Sequence, residues 1–205
     1  MGKRKIITIG RQFGSSGHEI GIKLAARLNI NCYDNELLSE AAKDSGISEE
    51  ILKKLDEKPT NSFLYSLVMD SYVGFNGIGG YEIPLSQKVF MAQFEAIKKI
   101  AAEEDCVFVG RCADYTLQDE YDILSVFIHA PFEDRVKRIS NRLVLPENKA
   151  KDLIIHTDKK RSNYYNYYTN KKWSDSSSYD LCINSSKFSF DDCVNIIIDA
   201  LEKRK

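Results

Sequence analysis

The sequence carries no excess of charge of either sign: 29 Lys and Arg stand against 30 Asp and Glu, a net charge of −1. A dedicated nucleic-acid binder relies on a basic surplus, so that class is disfavoured. A local basic pocket around a phosphorylated ligand remains open. Cysteine is sparse and scattered, at Cys32, Cys106, Cys112, Cys182 and Cys193. The count is odd, and no CxxC pair or Cys/His cluster has the spacing of a zinc site. Four of the five lie in or beside apolar runs and read as small buried hydrophobes, suited to a reducing compartment. No segment approaches the ~18 uninterrupted apolar residues of a membrane span. The opening MGKRKIITIG has too short an apolar run for a secretory leader. These absences predict a cytoplasmic protein that does not enter a membrane. Internal repeats and coiled-coil heptads are also lacking.

What is there is an ordinary globular composition, 43% hydrophobic and 29% charged over 205 residues, enough to bury a core. Five short apolar segments read as strands: Lys5–Gly10, Ile30–Asp34 (the weakest), Cys106–Gly110, Ile123–His129 and Tyr179–Asn184. They are nearly continuous rather than alternating, as in strands covered on both faces of a parallel sheet. Helical patterns at Gly17–Leu28, Leu85–Glu104, Phe132–Leu143 and Phe188–Arg204 lie between or after them. The alternation predicts a doubly wound, three-layer α/β fold. We expect one domain over 1–205, with a core of about 1–34, 84–143 and 179–205. Two stretches interrupt the alternation: about 35–83, which ends in the glycine-rich Gly74–Gly80, and the charged, tyrosine-rich 144–178. Mobile lids commonly occupy such positions.

Ligands of open parallel sheets bind beyond the carboxyl ends of the strands. There the sequence sets Gly10 and Arg11, Asp34, Gly110 and Arg111, and Asn184 with Ser185 and Ser186. The first turn, Gly10-Arg11-Gln12-Phe13-Gly14-Ser15-Ser16-Gly17-His18-Glu19, joins a strand to an amphipathic helix through small residues. Such a loop can close its amides around an anion at a helix N-terminus. Against the pattern G-x-x-x-x-G-K-[ST], Gly17 fits the second glycine, but His18 replaces the lysine and Glu19 the Ser/Thr. His18 is either an imidazolium beside phosphate or an exposed helix-start residue. Glu19 either helps to hold Mg²⁺ or turns away to pair with a basic side chain. Arg11 is either a permanent cation for phosphate or part of a surface ion pair. Asp34 serves as a helix cap, a site residue, or both. Arg111 follows a buried strand and favours the site, whereas Asp114 reads as structural or solvent-facing. Tyr164, Tyr165, Tyr167 and Tyr168 sit among Lys159, Lys160, Arg161, Lys171 and Lys172. They stack on a base or a single strand, or at least two of them pack the lid onto the body. Trp173 reads as a packing anchor.

The pieces ITIGRQFGSSGHEIGIKLAARL, CYDNELL, VFVGRCADYTL, HAPFEDRVKRI, DKKRSNYYNYYTNKKW and YDLCINSS, in this order, resemble the cytidylate kinase-like family. The resemblance covers nearly the whole chain and is weakest around 35–81. It implies a P-loop kinase-like fold: a central five-stranded parallel sheet, a helical acceptor-binding insertion and a lid. It further implies transfer of the γ-phosphoryl of ATP, with Mg²⁺, to a nucleoside monophosphate such as CMP or dCMP. By the same resemblance, Gly14, Ser15, Ser16, Gly17, His18 and Glu19 hold the β-phosphate. Asp34 and Arg111 lie at the acceptor, with Asp114 as a candidate for the aspartate that Cys112 replaces. Arg161 closes over the transferring group, with Arg11 and His18 as the cations that stand in for the lysine. The partners are then small nucleotides. Other readings are a nucleotide-binding or regulatory module without turnover, a kinase for a non-nucleotide acceptor, and a single-strand nucleic-acid binder.

Overall fold

The computed structural model describes residues 4–34 and 85–204. The expected insertion, with Gly74–Gly80, lies outside them. In chain order the described elements are β1 (Ile6–Arg11), α1 (Gly17–Leu28), β2 (Asn31–Tyr33), α2 (Leu85–Glu103), β3 (Cys106–Val109), α3 (Ala113–Leu117), β4 (Leu124–His129), α4 (Phe132–Leu143), α5 (Glu147–Thr169), a 3-10 turn (Ser176–Ser178), β5 (Leu181–Asn184) and α6 (Phe190–Lys203). The five strands form one sheet in the order β2-β3-β1-β4-β5, with every pair parallel.

The continuous apolar runs follow from cover on both faces. Ile7, Ile9, Val107, Val109, Val126 and Ile128 turn to one side, where Ile20 and Leu24 of α1 and Val194 and Ile197 of α6 bury them. Ile6, Cys106 and Phe108 turn to the other, against Ile97 and Ala101 of α2 and Ala113 and Leu117 of α3. Three layers result, each strand residue meeting a helix whichever way it points. At one end of the sheet, Val136 and Ile139 of α4 pack on Ala150 and Ile154 of α5.

Two boundaries differ from the expectation with consequence. Gly10 and Arg11 do not follow β1 but complete it. Pairing to β3 stops at Ile9, while pairing to β4 continues through Gly10↔Phe127 and Arg11↔Ile128. Strand β5 starts at Leu181 rather than Tyr179, because the Asp180 carboxylate caps the edge of β4, accepting from Ser125 N and Ser125 Oγ, each at 2.8 Å. The five cysteines are free thiols; Cys106, Cys112 and Cys193 are buried, and Cys182 alone is exposed. Burial pushes the Cys106 thiol up to about 12 and the Cys32 thiol up to about 11. After β3 the chain crosses to β4 on the opposite side of β1. The reversal opens a crevice beyond the carboxyl end of β1, where a doubly wound sheet binds its ligand.

Candidate active site

The carbonyls of the loop between β1 and α1 are all engaged, four of them by side chains from elsewhere in the fold. Arg11 O accepts from Arg161 Nη1 at 3.3 Å, and Gln12 O from Ser15 N at 3.3 Å and Ser15 Oγ at 2.8 Å. Phe13 O accepts from Arg135 Nη1 at 3.1 Å and Gly14 O from Arg138 Nη1 at 3.4 Å. Ser15 O accepts from Ser185 Oγ at 2.7 Å, and Ser16 O from Ile20 N at 3.0 Å. Six consecutive carbonyls are thus occupied. The amides of Gly17, His18 and Glu19 open α1, where a helix leaves its N–H groups without an intrahelical partner. Gly14 (φ +80) and Ser16 (φ 62) take left-handed conformations to make the turn, the second at a cost of about 1 kcal/mol for a non-glycine residue. The geometry is that of an anion cradle whose framework is already satisfied.

Gly17 is required by close packing. A Cβ there would sit 2.5 Å from Arg11 Cβ. The Arg11 stem runs past Gly17 and delivers its guanidinium to Gly110, where a Cβ would meet Nη1 at 2.1 Å. The Arg11 side chain therefore runs inward between two loops.

Gly110, Arg111 and Cys112 form a run of positive φ (85, 59 and 55) at the end of β3. Strain of this kind persists where the surroundings over-determine it, commonly at functional sites. Arg111 is only 6% exposed, its guanidinium 5.8 Å from the centre of the Tyr164 ring. Burial lowers its pKa, Tyr164 opposes that shift, and the nearby Arg161 adds to it. Arg11, Arg111 and Arg161 line one cleft of about 30 Å³ together with Asp114, Tyr164, Tyr165 and Tyr179. Asp114 is buried and not solvent-facing; its Oδ2 accepts from Tyr165 Oη at 2.6 Å. Desolvation raises its pKa, the Tyr165 hydrogen bond opposing. A larger cleft of about 590 Å³, acidic at Asp119, Glu120, Asp122 and Asp180, opens at the amino ends of β4 and β5. Sheets of this kind do not bind ligand at that end, and the arginine cleft is the better candidate.

The remaining expected residues divide. His18 Nε2 lies 2.9 Å from Asp34 Oδ2, so these two meet each other, but neither lines the arginine cleft. The capping role of Asp34 falls on residues outside those described. Glu19 takes the second of its two alternatives, pairing with Arg142 Nη1 at 2.6 Å. Among the described residues no group of three His, Cys, Asp or Glu is placed to hold a metal ion. The tyrosines of α5 serve mainly packing. Tyr164 and Tyr165 are buried, and Tyr168 stacks on Phe90 of α2 at 3.8 Å and 6°. Trp173 meets Phe127 edge-on at 5.5 Å.

Sequence reasoning missed Arg135, Arg138 and Asp158, which grip the loop together with Ser185, a residue already expected at the ligand edge. A signal was present: Arg135, Arg138 and Arg142 recur at i, i+3 and i+7, one face of α4, directly after β4. They reach Phe13 O, Gly14 O and Glu19 in turn.

Comparison with known proteins bears on the family and the fold. The sequence profile of the cytidylate kinase-like family matches residues 6–187. The chain belongs to that family. A cytidylate kinase of Methanosarcina mazei is 26% identical over 192 residues, covering 88% of this chain and 92% of that protein. A crystal structure of an uncharacterized protein from Eubacterium ventriosum superposes with a TM-score of 0.74 at 32% identity, covering 98% of this chain and all of that one. Shikimate kinase from Bacteroides thetaiotaomicron, at 12% identity, a TM-score of 0.56 and coverage of 97% and 98%, shares the fold. No helix among the described residues is long and apolar enough to cross a membrane.

Proposed function

We propose that this member of the cytidylate kinase-like family moves the terminal phosphoryl group of MgATP to a nucleoside monophosphate, CMP or dCMP. The observation that carries the reading is the convergence of Arg11, Arg111 and Arg161 on one cleft beside the loop. Three guanidiniums at one partly buried point suit charge-assisted hydrogen bonding to the oxygens of a phosphate chain. The proteins named as cytidylate kinases among its relatives indicate which acceptor to try first.

Phosphoryl transfer asks little covalent chemistry of the protein; positioning and charge neutralisation do most of the work. An acceptor phosphate oxygen attacks the γ-phosphorus, the bond to the β,γ-bridging oxygen breaks, and ADP leaves. The α1 amides and the loop would hold the donor. Arg111, rigid on its strained turn, would orient the acceptor phosphate. Arg161 and Arg11 would neutralise the group in flight, a role in which His18, tied to Asp34, and Glu19, tied to Arg142, take no direct part. Mg²⁺ would arrive as part of the nucleotide, held mainly by its phosphates and water.

The test is ADP release with MgATP and a panel of nucleoside monophosphates, beside Arg111→Ala. Acceptor-dependent release that falls by about 10²–10³ in the variant is the expected result, the cost of removing one preorganised charge-stabilising donor. No ADP release with any acceptor, from a folded protein that still binds ATP, supports the second reading. That reading is a binding module without turnover, favoured by His18 standing at the lysine position and already committed to Asp34.

A further inference from the structure

We propose that Asp158, on the lid helix α5, is a positioning residue that locks the phosphate loop and Arg161 into one register, so that loop and lid assemble as a unit. The two oxygens of its carboxylate do different things. Oδ1 accepts from Phe13 N at 2.8 Å, and Oδ2 accepts from Arg135 Nη1 at 2.5 Å. Arg135 also donates to Phe13 O at 3.1 Å and Ala130 O at 3.2 Å. The backbone of Phe13 is therefore gripped on both sides, its N–H from α5 and its C=O from α4. The Arg135–Asp158 side chains are 8% and 16% exposed, so the charges are largely withdrawn from water and each depends on the other.

Arg161 lies three residues further along α5, on the same face as Asp158. It donates to Arg11 O, and its guanidinium lies 5.6 Å from the centre of the Phe13 ring. One turn of α5 thus fastens the chain at two places, Phe13 through Asp158 and Arg11 through Arg161, and Arg161 also lines the arginine cleft. Lifting α5 breaks both together and leaves Arg135 without its carboxylate. The docked lid and the formed loop are accordingly one state, with Asp158 as its tie. The kinetic half of this inference rests on the phosphotransferase reading; the structural half does not.

The experiment compares the full chain with Asp158→Ala and Asp158→Asn, with Arg142→Met as a control on the same loop. Amide hydrogen exchange without nucleotide reads the segments 11–17 and 147–165. In Asp158→Ala both segments are expected to exchange faster by at least about tenfold, the minimum for losing charge-assisted hydrogen bonds. Asp158→Asn keeps an acceptor for Phe13 N and is expected to lie between. Kinetics adds a readout that a merely structural role would not move. In Asp158→Ala the ratio of acceptor-independent ADP release to transfer is expected to rise by about tenfold, because an unlatched lid admits water. The ATP KM is expected to rise by more than kcat falls, and Asp158→Asn to restore part of both.

Faster exchange at 147–165 with 11–17 unchanged, or an unchanged ratio of hydrolysis to transfer in an active enzyme, overturns the proposal. Coupled exchange in a chain that transfers to no acceptor leaves Asp158 as the tie and removes the phosphotransferase reading instead. If Asp158→Ala does not fold, Asp158→Asn decides: exchange equal to wild type in both segments overturns the tie, and a smaller coupled increase supports it.

Discussion

Arg135 and Arg142 occupy the same helix, seven residues apart, and each pairs with one carboxylate. Replacing each by Met should nonetheless have very different consequences. The Arg135–Asp158 pair is 8% and 16% exposed, and Arg135 makes further bonds to Phe13 O and Ala130 O. Methionine fills most of the stem volume but leaves the Asp158 charge withdrawn from water with no cation. Removing one partner of such a pair costs about 3–5 kcal/mol. The Arg142–Glu19 pair is 48% and 37% exposed, so water already screens it, and its loss costs about 0–1 kcal/mol. For a chain of this size each kcal/mol shifts Tm by about 2–4 °C, so Arg135→Met should lower Tm by about 6–20 °C and Arg142→Met by less than about 4 °C. Thermal melts read by the single tryptophan, Trp173, which packs on Phe127, provide the assay. Adding Asp158→Leu to Arg135→Met should recover much of the loss, because an apolar pair carries no stranded charge. A difference between the two arginine variants below about 1 kcal/mol would falsify the buried-latch reasoning.

Two further outcomes follow from the same geometry. Gly110→Ala puts a Cβ at φ +85 and 2.1 Å from Arg11 Nη1. Stability should fall by about 1–2 kcal/mol from the left-handed backbone, while ADP release should fall by more than about tenfold because Arg11 is displaced from the cleft. Asp114 has its pKa raised above 3.8 by burial, so over the window just above 3.8 the folded chain holds a proton that the unfolded chain has lost. The Asp114 contribution to stability should therefore decline as pH rises through that window. Denaturant melts of wild type and Asp114→Asn from about pH 4 to about pH 7 should show a difference that moves against wild type with rising pH; a flat difference would contradict the assignment.

Legibility in the sequence tracked distance along the chain. The bounds of Gly17–Leu28 and Phe132–Leu143 agree between periodicity and structure, because the 3.6-residue repeat of buried positions is a local property. The strands were readable because cover on both faces demands apolar residues at every position. Arg11 and Arg111 were readable as candidates because they fall at strand ends, although the inward course of Arg11 past Gly17 was not. His18 and Glu19, expected at the phosphate, stand in the first turn of α1 and are engaged with Asp34 and Arg142. Asp158 was passed over beside Arg161, since its partners Phe13 and Arg135 lie 145 and 23 residues away.

By itself, then, the sequence determined the layers, the loop and the family, because periodicity, glycine placement and motif order are recorded in neighbouring residues. Only the tertiary structure decided which arginines share a cleft, which carbonyls of the loop are held, and which carboxylate of α5 meets the Phe13 amide. Those outcomes depend on the parallel crossovers that bring β1, β3, α4 and α5 to one edge, and desolvation there makes a charge pair strong or weak according to burial that no local pattern encodes.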